Sequence, residues 1–213
     1  TVARLRRAME NLGIQRGDCV AGFLPNIAEA VIAMLASASL GAIWSSCSPD
    51  FGVPGVVDRF GQIRPKLLFA ADGYVYKGRA FDGKEKLQGI LDQVDSVEAV
   101  VLIPFVDQNA TFSGAQTWQD FLETVDPMPG EIPSYDPLPF DHPLYVMYSS
   151  GTTGKPKCII HGHGGTLLQH LKEHQLHTDL RPGQKLFYFT TTGWMMWNWL
   201  VTALASGSTV VLF

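Results

Sequence analysis

Four short runs of apolar and small residues recur along the first half of the chain, and each is flanked by a segment of helical periodicity. The runs are "CVAGFL" at 19–24, "AIWSSCS" at 42–48, "PKLLFAA" at 65–71 and "EAVVLI" at 98–103. A strand wetted on one face alternates polar and apolar residues, and these do not. They suit a parallel sheet covered on both faces, with helices as crossovers. Between them, Val2, Leu5, Met9 and Leu12 share one face of an opening helix. "PNIAEAVIAMLASASLG" reads as a second helix, with Asn26 as expected N-cap, Glu29 three residues later and Gly41 at its end. "DFGVPGVVDRFGQI" starts a third helix on Pro54, and "KEKLQGILDQV" and "TWQDFLETV" complete the set. The expected fold class is therefore α/β: doubly wound, mostly parallel sheets covered by helices.

Between Asp126 and Pro143 six prolines mark an extended connector. It divides a first α/β block, residues 1–125, from a second, residues 144–213, with residues 126–143 between them. The second block opens on the strand "LYVMYSS". After a loop come the strand "KCIIHG", the helical "GGTLLQHLKEHQLHTD", the strand "KLFYFTTT" and the largely apolar helix "WMMWNWLVTALASG". The chain closes on "GSTVVLF", which reads as a buried strand and suggests a piece of a longer protein.

Charge and composition narrow the function. The formal net charge is −4 with pI about 5.8, and neither a basic stripe for nucleic acid nor a polybasic run for an anionic membrane is present. The apolar stretch from Ile27 to Trp44 is interrupted by Glu29, Ser37 and Ser39 and suits a buried helix, not a membrane span. Cys19, Cys47 and Cys158 are scattered and odd in number, which favours a reducing, cytoplasmic setting over a disulfide framework.

The loop between the two strands of the second block, "SSGTTGKPK" at 149–157, carries four hydroxyls, two glycines and two lysines in nine residues. It is not a Walker loop: Gly151 and Gly154 are separated by only two residues, and Lys155 precedes Pro156. The β-branched "KCIIHG" that follows has no helical period, so the loop joins two strands. Such a turn can still present successive backbone N–H groups as an anion nest. Ser149, Ser150, Thr152 and Thr153 add hydroxyl donors, Gly151 and Gly154 permit close approach, and Lys155 and Lys157 supply charge. An ordinary polar hairpin is the alternative.

"YSSGTTGKPK" closely resembles the phosphate loop of the AMP-forming acyl-CoA synthetases, the superfamily that includes luciferases and peptide-synthetase adenylation domains. "GIQRGDCVAGFLPNIAEAVIAMLASASLGAIWSSCSPDFG" resembles the opening segment of the same superfamily. "LLQHLKEHQLHTDLRPGQKLFYFTTTGWMMWNWLV" resembles its acetoacetate-activating branch. Cys158 departs from the glycine that many members carry there. The resemblance implies a ligase that adenylates an acid with ATP and Mg²⁺, releases pyrophosphate and then passes the acyl group to coenzyme A. Acetate, propionate or another short acid is the alternative substrate, and a catalytically incompetent nucleotide-binding module is the alternative for the isolated chain. Residues 149–157 would hold the β- and γ-phosphates, chiefly through Thr152, Thr153, Gly154 and Lys157. Trp194 falls where a bulky residue borders the acyl site in short-chain relatives. Phe51, Gly52 and Arg79 fall near the coenzyme A nucleotide. The magnesium-binding acid, the ribose-binding aspartate, and the C-terminal lid with its catalytic lysine belong to later parts of such enzymes.

His170, His174 and His177 recur at i, i+4 and i+7, a spacing open to zinc, although Lys172 and Glu173 beside them suit a solvated face better. His161 and His163 flank a glycine and suit local loop bonding. No G-x-S-x-G elbow surrounds Ser150, which disfavours serine-based acyl transfer.

Overall fold

The computed structural model describes residues 1–149 and 154–213. The elements run α1 (Val2–Asn11), β1 (Cys19–Phe23), α2 (Ala28–Leu40), β2 (Ile43–Cys47), α3 (Val53–Ile63) and β3 (Leu67–Ala71). A hairpin, β4 (Gly73–Tyr76) with β5 (Arg79–Asp82), precedes α4 (Lys84–Leu91), β6 (Ala99–Ile103), β7 (Ala115–Thr117) and α5 (Trp118–Glu123). Beyond the connector come β8 (Pro143–Ser149), β9 (Lys157–Gly162), α6 (His163–Lys172), β10 (Lys185–Phe187), α7 (Met195–Thr202) and β11 (Thr209–Val211).

Seven strands form one sheet in the order β7-β6-β3-β1-β2-β8-β9. Every neighbouring pair is parallel except β8 with β9. The absence of apolar–polar alternation in the strands has its structural counterpart in β3. Leu67, Phe69 and Ala71 face one core with Leu5, Met9, Trp44 and Phe121. Leu68 and Ala70 face the other with Phe60, Leu87 and Ile90. Helices therefore cover both faces, and with both sides of β3 buried all five of its residues are apolar.

The connector is strapped down rather than loose. Arg4 Nε donates to the Val125 carbonyl at 3.2 Å, and Arg7 donates to the Asp126 carbonyl at 2.6 Å and pairs with Glu131 at 2.8 Å. His142 Nε2 lies 2.8 Å from the Gly41 carbonyl. Gly41 ends α2 in the left-handed region at φ 70°, as its position predicts.

Several local expectations are corrected. Asn26 does not cap α2, whose N-cap is Ile27 with no side-chain bond. Its carboxamide instead accepts a hydrogen bond from Trp197 Nε1 at 2.8 Å, a contact across 171 positions that no local pattern encodes. "KLFYFTTT" is a strand only over Lys185–Phe187. The closing segment forms β11, paired with β10 in a separate two-stranded sheet and largely exposed rather than buried. Two of the three spaced histidines turn inward. His170 is 4% exposed and His174 fully buried, because Trp199 and Thr202 of α7 supply partners that outweigh solvation.

Candidate functional site

The sheet's carboxyl edge gathers the candidates. Parallel strands β1, β2, β3 and β8 all end there. The chain passes from β1 to β2 on one side and then crosses to β3 on the other, a topological switch point of the kind at which open α/β sheets bind ligands. A cleft of about 460 Å³ lies over this point, lined by Asn26, Ser48, Asp50, Tyr74, Tyr76 and Thr191 among others.

The segment leading into α7 is tied across the edge. Thr192 Oγ1 donates to the Leu24 carbonyl at 2.6 Å, and Ser46 Oγ donates to the Thr192 carbonyl at 2.7 Å. Gly193 packs so closely on Phe51 that an added Cβ would stand 3.1 Å from its ring. These contacts place Trp194, 65% exposed, beside the ends of β2 and β8.

The two arms of the glycine-rich loop stand side by side. Ser149, the last residue of β8, is paired with Lys157, the first of β9, so the loop is a hairpin connection between strands and opens no helix. Ser150, Gly151, Thr152 and Thr153 lie outside the described residues. Gly154 has φ 102°, a conformation that excludes ordinary side chains. Lys155 and Lys157 are exposed.

Helix α3 braces both arms. Arg59 lies 5.6 Å from the Tyr148 ring centroid on the entering arm and 5.0 Å from that of Phe51, while its Nη1 donates to the Gly55 carbonyl at 2.6 Å. On the leaving arm Gln62 Nε2 donates to the Pro156 carbonyl at 2.8 Å, and Asp58 pairs with Lys155 Nζ at 3.6 Å. From the sequence alone α3 reads only as a crossover helix started on Pro54. The polar trio Asp58, Arg59 and Gln62 on a helix directly after "CSPDFG" was the available signal.

Phe51 thus lies between the entering arm of the glycine-rich loop and the Trp194 segment, and Gly52 is the exposed N-cap of α3. The Ser48–Asp50 stretch and the β4–β5 hairpin share the cleft, joined by Lys86, which donates to the Pro49 carbonyl at 3.0 Å and sits over the Tyr74 ring. Arg79 stands exposed beyond the hairpin turn, paired with Tyr76, and like Phe51 and Gly52 it is not among the residues lining the cleft.

Burial sets the ionisation of the site. It raises the Tyr148 hydroxyl well above its usual range, and Ser45 Oγ shares a 3.0 Å hydrogen bond with that hydroxyl. Burial pushes the Cys47 thiol up to about 12 and raises Cys158 as well, so neither is primed as a thiolate nucleophile. The charge exposed at this edge is that of Lys157 and of Lys155, the latter paired with Asp58, and it suits electrostatic stabilisation of an anion rather than covalent attack.

A model of the family described as "AMP-binding enzyme" matches residues 1–213. The chain belongs to this AMP-binding enzyme family. Among curated relatives, it is 50% identical to acetoacetyl-CoA synthetase of Gallus gallus over 217 residues, covering 100% of this chain and 32% of the relative. It is also 50% identical to acetoacetyl-coenzyme A synthetase of Rhizobium meliloti over 216 residues, with the same coverage. It is 46% identical to malonamoyl-CoA synthetase of Penicillium aethiopicum over 226 residues, 100% of this chain and 30% of that protein. The structure of acetoacetyl-CoA synthetase from Streptomyces lividans superposes with a TM-score of 0.92 at 46% identity, over 99% of this chain and 32% of that one. The chain thus spans about a third of the length of the AMP-binding enzymes it matches. Among the described residues no helix is long and apolar enough to cross a membrane.

Proposed function

We propose that this chain serves an ATP-dependent, AMP-forming acid–CoA ligase acting on acetoacetate. The observation that carries the reading is the braced hairpin. Ser149 and Lys157 face each other at the carboxyl edge of the sheet, and α3 holds both arms. Such a loop can grip the β- and γ-phosphates while the acid's carboxylate oxygen attacks the α-phosphorus. The bond to the bridging oxygen breaks, and pyrophosphate leaves with its electron pair. Residues 149–157, chiefly Thr152, Thr153, Gly154 and Lys157, take that role, and Lys155 exchanges Asp58 for phosphate oxygen. The thiol of coenzyme A then attacks the acyl carbon and AMP departs. Phe51 and Gly52 follow directly on Asp50, which lines the cleft in which that cofactor would lie, and the exposed Arg79 could reach a nucleotide phosphate only outside it.

ATP enters as its magnesium complex. Among the described residues no group of three or more His, Cys, Asp or Glu side chains stands together as a metal site. Trp194 borders the acyl pocket in this reading, and its indole favours a short acid. Acetoacetate is preferred because the relatives named above include acetoacetyl-CoA synthetases at 50% identity. The acyl groups in the two names, acetoacetyl and malonamoyl, each carry a carbonyl on carbon 3. A cytoplasmic location suits three free cysteines.

The test is ATP–pyrophosphate exchange in a full-length protein carrying this chain, with acetoacetate, acetate and propionate compared. Exchange that depends on acetoacetate supports the reading, and exchange confined to acetate or propionate replaces the substrate. A second reading follows from the chain spanning about a third of its relatives: alone, the 213 residues form a nucleotide-binding module. Nucleotide binding without exchange by a cooperatively folded chain supports it.

A further inference from the structure

Helix α7 is apolar at every position from Met195 to Val201 except Asn198. That residue is only 4% exposed, yet its Oδ1 has no hydrogen-bond partner among the described residues. Burying a carboxamide with an idle oxygen is unfavourable, and buried polar atoms in native proteins find partners. The helix is not free to rotate the group into water. Trp197 on one side is fixed to Asn26, and the Trp199 carbonyl on the other is bonded to His174 at 2.9 Å. Asn198 borders a small cavity whose lining also includes Tyr148, on the entering arm of the glycine-rich loop, and Trp194. Its interior admits a single water-sized atom. Trp44 borders the same cavity. It is 1% exposed, and its Nε1–H is a second buried group without a partner among the described residues.

We infer that Asn198, with Trp44, reads a carbonyl oxygen on carbon 3 of the acid substrate. The inference rests on the ligase reading above and names the substrate class of the same site. A carbonyl oxygen has two lone pairs. The indole N–H satisfies one, and the carboxamide satisfies the other by presenting its NH₂, which a half-turn about its terminal torsion exchanges with its oxygen. With the carboxylate directed at the phosphate loop past Tyr148, the 3-oxo oxygen fills the one-atom interior. The carboxamide can equally accept from an NH₂ on that carbon, so 3-oxo acids and malonamate-like acids belong to one class for this cavity. A saturated acid of equal length leaves both polar groups idle and is selected against.

The experiment compares acetoacetate with butyrate by pyrophosphate exchange in a full-length protein, for wild type and for Asn198→Leu, which keeps the volume and removes the amide. The ratio of kcat/KM, acetoacetate over butyrate, is expected to fall by about tenfold to a hundredfold in the variant. An unchanged ratio overturns the inference. Should the leucine variant lose its cooperative melting transition, Trp44→Phe and the wild-type ratio decide. A wild type that treats the two acids alike, or a Trp44→Phe protein with the wild-type ratio, overturns it. Wild-type protein inactive with acetoacetate would sink the ligase reading itself, a different and separable outcome.

Discussion

Asp72, at the end of β3, ties the wall of the cleft to the sheet. It is 3% exposed, and its Oδ1 accepts the backbone N–H groups of Phe105 at 2.7 Å and Val106 at 2.9 Å, while Oδ2 accepts that of Asp107 at 2.7 Å. Its carbonyl accepts from Gly83 at 2.7 Å, closing the base of the β4–β5 hairpin that lines the cleft. Asp72→Ala abandons three donors at once. A hydrogen bond to a charged group contributes roughly 1.5–3 kcal/mol, and part of each lost bond is recovered from water at these half-buried amides, so the expected cost is about 3–4 kcal/mol. Asp72→Asn is the sharper probe. Its Oδ1 can keep Phe105 and Val106, but its NH₂ then faces the Asp107 N–H, donor against donor, at an expected cost of about 2 kcal/mol. Thermal unfolding would register these as falls in Tm of roughly 2–4 °C per kcal/mol for a chain of this size. Amide exchange at Phe105–Asp107 should quicken in both variants. A neutral Asp72→Asn, or an Asn variant less stable than the Ala variant, would refute the account of the carboxylate as a three-way acceptor.

Other consequences are as specific. Burial and the nearby His174 charge lower the His170 pKa to about 4, so the folded state binds fewer protons than the unfolded one between that value and the ordinary 6.5. The stability due to neutral His170 is complete above pH 6.5 and drains away as pH falls toward 4. Tm should drop by several degrees across that window, and His170→Gln should flatten the profile. Gly73→Ala would set a methyl group against the Phe81 backbone carbonyl. The hairpin has to part from its base, and proteolysis between Tyr76 and Arg79 should accelerate. Trp194→Ala should raise the kcat/KM for hexanoate relative to acetoacetate by about thirtyfold or more, since hexanoate is two carbons longer and each methylene accommodated contributes about 1–3 kcal/mol. An unchanged chain-length preference would remove Trp194 from the acyl pocket.

Periodicity made most of the elements legible. The strand runs, the Pro54 helix start and the Gly41 stop all recur in the structure, because each depends on groups within a few residues along the chain. The expectation of a strand-to-strand loop after β8 is met by the Ser149–Lys157 pairing for the same reason. Asn26 shows where local reading ends: its pattern offered a cap, and Trp197 outbid the helix for its oxygen.

What the sequence determined by itself is the layered α/β plan and the glycine-rich turn that joins two of its strands. Both follow from side-chain periodicity and from residue types whose backbone preferences are intrinsic. The tertiary structure alone decided that α3 would brace the turn, that two histidines would face α7, and that Asn198 and Trp44 would border one cavity. Those arrangements join positions far apart in the chain, and only the packing of helices on the sheet brings such groups within reach of one another.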